Sequence, residues 1–319
     1  MSLDAHRPQL DPLTTGALAL AVVAVSSSAP LIAFAAAPAL AVAFWRNLLS
    51  VAVLGPVSLV RRRAEFRSLT VGLGRREGWY CVLSGVALAA HFATWMPSAK
   101  LTSVAAATAL VATQPVWQGL IARAQGRRLP LGVWAGVGVA VAGAVLATGA
   151  DFTVSGRAFA GDLLAVVGGM FAAVYTALGE RARATVSTTT YTTICYGVCA
   201  LILLVVCLIG GVRLTGFDGG TWLAILALVA GAQLLGHSMF NYALRRISAT
   251  TVSVLILLEA PGAALIGWAW LGQLPSPVTL PGLGLLLVGV AVVVLAGARA
   301  ARRASVTTAA PADAAPLPD

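Results

Sequence analysis

Polar and ionisable side chains interrupt several long apolar segments of this chain. Glu259 lies midway along one of them, 249–271. In another, Gln233, His237 and Asn241 recur every four residues, a spacing that places them on one face of a helix. Because polar groups in an apolar environment are unfavourable unless they find partners, this face should line a cavity or contact another polar helix.

Glu259 has the chemistry that proton coupling requires. Away from water, an ionised carboxylate needs a partner, since desolvation otherwise favours the neutral form. A carboxyl group that gains and loses a proton in a cavity could couple the movement of a solute to that of protons. The alternative is a neutral Glu259 that hydrogen-bonds between two helices as a structural link.

Other candidates for a cavity wall lie within apolar segments. His91 and Trp95 share a helix face, although His91 could instead be a hydrogen-bonded core histidine. Arg46 could bind a substrate carboxylate with two parallel hydrogen bonds, pair with Glu259 or extend towards an interface. The full set of cavity candidates is Gln233, His237, Asn241, His91, Trp95, Gln114, Gln118, Arg46 and Tyr175.

Three prolines, Pro30, Pro115 and Pro261, lie inside predicted helices. Each removes a backbone hydrogen bond and is expected to kink its helix. Carbonyl groups freed in this way could bind a solute or let the helix flex. A static kink that improves packing is the alternative.

The composition excludes a soluble globular protein. Of the 319 residues, 59% are hydrophobic and 10% are charged, whereas soluble domains carry roughly 25% charged residues. The apolar runs are continuous and each approaches the length that a helix needs to span a bilayer. We therefore predict an all-α polytopic membrane protein with ten transmembrane helices. The predicted spans are 14–34, 38–60, 78–98, 101–122, 131–149, 159–179, 190–211, 221–244, 249–271 and 279–297.

The formal net charge is +10, and most of the basic residues lie in short loops between the apolar segments. If the N-terminus is cytoplasmic, the arginine-rich loops all face the cytoplasm, and only Lys100, Arg157 and Arg213 fall on the other side. This distribution predicts a multi-pass protein of the plasma or inner membrane with both termini in the cytoplasm. It does not predict a nucleic-acid-binding groove.

The sequence contains an internal duplication. An offset of 146 residues carries His91 to His237 and Pro115 to Pro261. Because each copy holds five predicted spans, the second copy should enter the membrane with opposite topology. We predict these regions: a cytoplasmic N-terminus, 1–12; a first five-helix repeat, 13–149; a periplasmic linker, 150–158; a second five-helix repeat, 159–297; and a disordered cytoplasmic tail, 298–319.

Two segments, Ala107–Gly126 and Ser253–Gly272, each carry a mid-span proline and a glycine near the end. With "FWRN" at Phe44–Asn47, they resemble the EamA-type transporters of the drug/metabolite transporter superfamily over about 13–297. The terminal glutamate of that pattern is replaced here by Gln273 and, in the first copy, by Arg127. The resemblance implies two five-helix halves that move small metabolites, often amino acids, through a central cavity by alternating access.

These features predict a secondary transporter, and in particular an exporter, of a small metabolite such as an amino acid, proton-coupled through Glu259. The alternatives are efflux of lipophilic cations, for which Glu259, Trp95, Trp117 and Trp268 would serve, and a non-transporting membrane scaffold. No nucleotide-binding, nucleophile or metal motif is present, so we predict neither an enzyme nor a cofactor nor a bound metal. The predicted partners are a small solute, the lipid bilayer and protons.

Overall fold

The computed structural model describes residues 12–72, 74–101, 107, 110–147, 156–272 and 279–308. Within these residues the chain is helical and contains no strand. Eight helical segments are long and apolar enough to cross a membrane, and Leu131–Leu146 forms a shorter apolar helix. The predicted all-helical membrane protein is confirmed. The count of ten spans is not confirmed, because the fourth predicted span, 101–122, lies partly outside the described residues.

The described helices follow the predicted spans closely, and the last one continues past residue 297, where the final span was predicted to end. In chain order they are α1 Pro12–Ser26, α2 Ser28–Phe34, α3 Ala39–Arg61, α4 Arg63–Val71, α5 Arg75–Leu101, α6 Gln114–Ala124, α7 Leu131–Ala147, α8 Gly156–Arg183, α9 Thr188–Ile209, α10 Gly219–Leu228, a π-helical segment Val229–His237, α11 Ser238–Ala243, α12 Ala249–Ile256, α13 Glu259–Leu271 and α14 Thr279–Thr308.

The helix pairing reflects the duplication. Helix α5 of the first repeat packs against α8, the first helix of the second repeat. The equivalent contact joins the π-helical segment of the second repeat to α1, the first helix of the first repeat. Likewise α6 packs on α8, while α13 packs on α1. Each of the two repeats therefore lends its first helix to the other, which interlocks the halves around a shared centre.

Counterpart helices of the two repeats, α7 and α14, pack against each other. Gly136 of α7 lies against Gly289 of α14, and Gly143 lies against Gly282, so the two helices run antiparallel. The repeat offset relates Gly136 to Gly282 and Gly143 to Gly289. Equivalent helices that pass each other in opposite directions have the relation that an inverted repeat requires.

Helices break just before each of the three prolines. Pro30 follows a break at Ser27, Pro115 stands in the first turn of α6, and Pro261 stands in the first turn of α13. A proline is tolerated there because its missing N–H would have no partner in the first turn of a helix. Each break lies within one turn before its proline, which is where a proline removes a backbone hydrogen bond from a helix.

The carboxylate of Glu65 links α4 to the N-terminus of α9. Glu65 of α4 accepts hydrogen bonds from the backbone N–H and hydroxyl of Ser187, both at 2.6 Å, and from the hydroxyl of Thr190 at 2.7 Å. Burial alone would raise the pKa of Glu65, but these hydrogen bonds and the nearby Arg62 lower its pKa below the ordinary 4.5. The same interaction caps the N-terminus of α9, which favours a negative charge there.

We expect Glu65→Gln to lower the free energy of unfolding by about 1 kcal/mol at pH 7, a value that allows for solvent screening of a partly exposed group. Because the pKa of Glu65 is lower in the folded than in the unfolded protein, its contribution is complete above the unfolded pKa and disappears as the pH falls through the folded pKa. Thermal unfolding in detergent at pH 7 and below pH 4 measures this difference. Ser187→Ala also removes the hydroxyl that accepts from the Thr190 N–H at 3.4 Å, so it has a cost of its own. The double variant should still lose less than the sum of the two single changes, and full additivity would contradict the assignment.

Candidate functional site

A central cavity of about 80 Å³ lies where the two repeats interlock. Its volume is small beside the roughly 300–1,000 Å³ of typical ligand pockets, so this conformation is nearly closed around its centre. Apolar side chains form most of the wall, and a few polar groups converge on it. Eight of the predicted site residues line this cavity: Arg46, His91, Trp95, Gln114, Tyr175, His237, Asn241 and Glu259.

Arg46 enters the cavity wall from α3 and is completely buried. Its Nε donates to Oε1 of Gln233 at 2.8 Å, and Nε2 of Gln233 donates to Oδ1 of Asn47 at 3.1 Å. The guanidinium carbon lies 4.7 Å from the ring centre of Phe92, in a cation–π arrangement. Among the described residues, neither Nη1 nor Nη2 of Arg46 has a hydrogen-bond partner.

Only part of the predicted stripe of Gln233, His237 and Asn241 lies in the cavity wall. These residues begin in the π-helical segment, where the hydrogen-bonding repeat is five residues rather than four. His237 and Asn241 line the cavity, whereas Gln233 contacts Arg46 and Asn47 on α3. Gln233 is therefore placed to orient Arg46 and not as part of the wall. No residue pattern in the sequence marked the π-helical segment.

Gln118 also lies away from the cavity. It is fully buried on α6, one turn beyond Gln114, and its side-chain amide has no partner among the described residues. Gln114 itself donates to the hydroxyl groups of Thr176, at 3.1 Å, and Ser253, at 3.3 Å. The first turn of α6 is thus tied to both α8 and α12 at the edge of the cavity.

The two histidines have different surroundings. His91 Nδ1 lies 2.9 Å from the carbonyl oxygen of Gly168. Because a carbonyl group only accepts, this contact places a proton on Nδ1. The His91 ring stacks on the Trp95 ring, with a centroid distance of 5.7 Å and an interplanar angle of 6°. His237 lies edge-on to Phe92 at a centroid distance of 6.1 Å, so the repeat-related histidines contribute to one aromatic wall.

Tyr175 and Asn241 close another side of the cavity. The Tyr175 hydroxyl donates to Oδ1 of Asn241 at 3.0 Å. Both side chains are buried. This pair links α8, the first helix of the second repeat, to α11, the helix that follows the π-helical segment.

Glu259 is the first residue of α13, directly after the break at Leu257–Leu258. Arg46 and Glu259 share the cavity, but no ion pair joins them. An ion pair with two hydrogen bonds, of 3.0 and 2.8 Å, joins Arg127 to Glu180. Arg127 thereby ties the end of α6 to α8, a contact that the sequence did not predict.

Comparison with known proteins identifies the architecture. The model of the EamA-like transporter family matches residues 13–149 and 159–295, and so covers both repeats. The chain belongs to the EamA-like transporter family. It is therefore a multi-pass membrane transporter of the drug/metabolite transporter superfamily with two repeats, and the members of this family are transporters, not enzymes.

Solved structures support the fold of this EamA-like transporter. A crystal structure with 22% sequence identity covers 92% of this chain and 98% of its own, with a TM-score of 0.73. In all, 29 chains of known structure match. A search of curated proteins found no similar sequence. At this level of identity the likeness shows the fold alone.

Proposed function

We propose that this transporter exports a small organic metabolite, such as an amino acid, by alternating access around the central cavity, with Glu259 as the proton-coupling group. The observation that carries the proposal is the convergence of ionisable and polar side chains from both repeats on one enclosed space. A membrane scaffold has little use for such groups, which are unfavourable at membrane depth unless they serve a function.

The helix breaks provide a route to alternating access. Gln114 and Glu259 each stand at the first residue of a helix that follows a break, and both line the cavity. Discontinuous helices at equivalent positions of two repeats commonly form the binding centre of secondary transporters. Movement of one half against the other would open the nearly closed cavity to one side of the membrane and then to the other.

Proton coupling follows from the position of Glu259. The equivalent position of the first repeat is Thr113, so among the cavity-lining residues one carboxylate serves both halves. If Glu259 holds a proton in one half of the cycle and a solute is bound in the other, inward proton flow drives the solute outward. This exchange makes export the expected direction. The distribution of basic residues among the loops supports cytoplasmic termini in a plasma or inner membrane.

Efflux of lipophilic cations is the second candidate. It is favoured by an unpaired carboxylate, Glu259, beside the stacked rings of His91 and Trp95. Of the other two predicted tryptophans, Trp117 is not part of the cavity wall and Trp268 is half-exposed on the surface of the chain. Arg46 disfavours a cation in the same space.

Purified protein in proteoliposomes distinguishes these functions. Vesicles with an acidic interior and a neutral exterior would be offered a panel of radiolabelled amino acids, organic acids and lipophilic cations. We expect a pH-gradient-driven accumulation of one metabolite class and its exchange against unlabelled solute. Transport of lipophilic cations alone would support the second candidate. No solute movement above protein-free vesicles across the panel would contradict a transporter of this kind.

A further inference from the structure

Arg46 has a large unused capacity for hydrogen bonding. A guanidinium group carries five N–H donors, and the described contacts use the one on Nε. The side chain is fully buried, so bulk water does not satisfy the remaining donors. A buried cation without an anionic partner is unfavourable by several kcal/mol. A partner of opposite charge is therefore expected at some stage of the transport cycle.

The orientation of Arg46 is fixed by its neighbours. Gln233 holds Nε, Asn47 holds Gln233, and the ring of Phe92 covers one face of the guanidinium group. The remaining edge of the planar fork, Nη1 and Nη2, has no hydrogen-bond partner among the described residues and is covered by neighbouring atoms in this conformation. Such an edge matches the two oxygen atoms of a carboxylate, and its rigidity reduces the entropy lost on binding.

Among the described residues, no carboxylate forms a direct ion pair with Arg46 in this conformation. Glu259 is the only carboxylate among the described residues of the cavity wall, and it forms no ion pair with Arg46. A further N–H donor, Nε1 of Trp95, lies in the same wall and also lacks a partner among the described residues. The unsatisfied groups of the wall therefore include nitrogen donors from two different helices, α3 and α5.

The remaining wall suits a compact apolar group. His91 stacks in parallel on Trp95, and His237 stands edge-on to Phe92. Flat rings of this kind offer contact area to the hydrocarbon part of a solute at a low entropic cost. The cavity thus combines donors for a planar anion with an aromatic surface.

We propose that the solute of this cavity is a small carboxylate whose two oxygen atoms bind the Nη1 and Nη2 edge of Arg46, with Trp95 Nε1 as an additional donor. The proposal rests on the proposed function only in treating this cavity as the solute site. It narrows the class from small metabolites in general to those that carry a carboxylate and a compact apolar group.

Binding measurements on the purified full-length protein test this assignment. The ligands are 3-phenylpropionate, its amide and phenethylamine, together with phenylalanine and phenylalaninamide, and a matching set with a four-carbon aliphatic chain in place of the phenyl group. We expect carboxylates of at least one set to bind about tenfold or more tightly than the matched amides. Equal affinities of acids and amides, binding of the amines alone, or no binding by any carboxylate would overturn the proposal.

Variants identify the residue responsible. Arg46→Gln should weaken carboxylate binding by about 30-fold or more and leave amide binding unchanged, whereas Arg46→Lys, which loses the planar fork, should retain part of it. Trp95→Phe should weaken carboxylates by a few fold without affecting amides. Arg76→Gln, a change of the same type at the exposed start of α5, serves as the matched control. If Arg46→Gln does not fold, the ligand series and Trp95→Phe still decide the question.

The outcomes separate this proposal from the proposed function. Tight carboxylate binding without any transport would contradict the function and support the carboxylate site. Transport confined to solutes that lack a carboxylate would support the function and overturn the carboxylate site. An Arg46→Gln variant that binds acids as the unmodified protein does would also overturn it.

Discussion

Glu259→Gln is expected to abolish pH-gradient-driven transport and to leave the protein folded. The substitution keeps the size and hydrogen-bonding capacity of the side chain but removes its ability to exchange a proton. Initial rates of uptake into proteoliposomes under a pH gradient should fall by at least about tenfold, the size of effect expected when an acid–base group is lost. Exchange of labelled against unlabelled solute without a gradient should persist, because that process needs no net proton movement.

The control for this experiment is Glu77→Gln, the same substitution in the first turn of α5 and outside the apolar part of that helix. It should leave both gradient-driven uptake and exchange unchanged. Normal uptake by Glu259→Gln with an unaltered dependence on pH would show that Glu259 is a structural link between helices.

Gly143→Ala and Gly289→Ala should each destabilise the protein strongly. A Cβ atom at Gly143 would collide with the backbone nitrogen of Leu286, and one at Gly289 would collide with the backbone of Ala140. Backbone atoms cannot rotate away, so α7 and α14 would have to separate. We expect a loss of about 2–3 kcal/mol for each substitution, at the upper end of the usual overpacking range, measured by thermal or denaturant unfolding in detergent.

The repeat supplies its own controls. Gly138 and Gly284 are equivalent positions on the same two helices, and a Cβ atom at either would meet nothing within 4 Å. Gly138→Ala and Gly284→Ala should be neutral or slightly stabilising, because alanine favours a helix over glycine by up to about 1 kcal/mol. Similar destabilisation at all four positions would contradict the antiparallel crossing of α7 and α14.

Residue chemistry predicted much of the cavity. Arg46, His91 and Glu259 were recognised because ionisable groups in apolar segments need an enclosed polar environment, and the structure places all three in one wall. The duplication could be recognised because rarer residue types recur at the 146-residue offset, as His91 and His237 do. Alanine and valine are too frequent for their matches to be informative.

The differences arise from contacts and helix ends that residue types do not encode. Gln233 was assigned to the cavity by a four-residue repeat, but its side chain bonds to Arg46 and Asn47 on α3. Kinks were predicted at the prolines, and the helices break within the turn before them, but the sequence did not show that this places Glu259 at a helix N-terminus. The ion pair of Arg127 and Glu180 joins residues distant in sequence, and no local pattern indicates it.

The departures from symmetry fit a division of labour between the repeats. Glu259 in the second repeat corresponds to Thr113, and Asn241 corresponds to Trp95. In our proposals the second repeat contributes the proton-coupling carboxylate. The first repeat contributes the donors of Arg46 and Trp95 that hold the solute.

The central claim, alternating access around this cavity, is tested most directly by side-specific labelling of Ser28→Cys. Ser28 lines the cavity and is buried, and Ser50, buried outside the wall, provides the control Ser50→Cys. Both would be made in a chain whose four cysteines, Cys81, Cys195, Cys199 and Cys207, are replaced by alanine. A membrane-impermeant thiol reagent should label Ser28→Cys when added to either side of the vesicle membrane, more slowly with transported solute, and should not label Ser50→Cys. Labelling of Ser28→Cys from one side only, or from neither, would contradict the account.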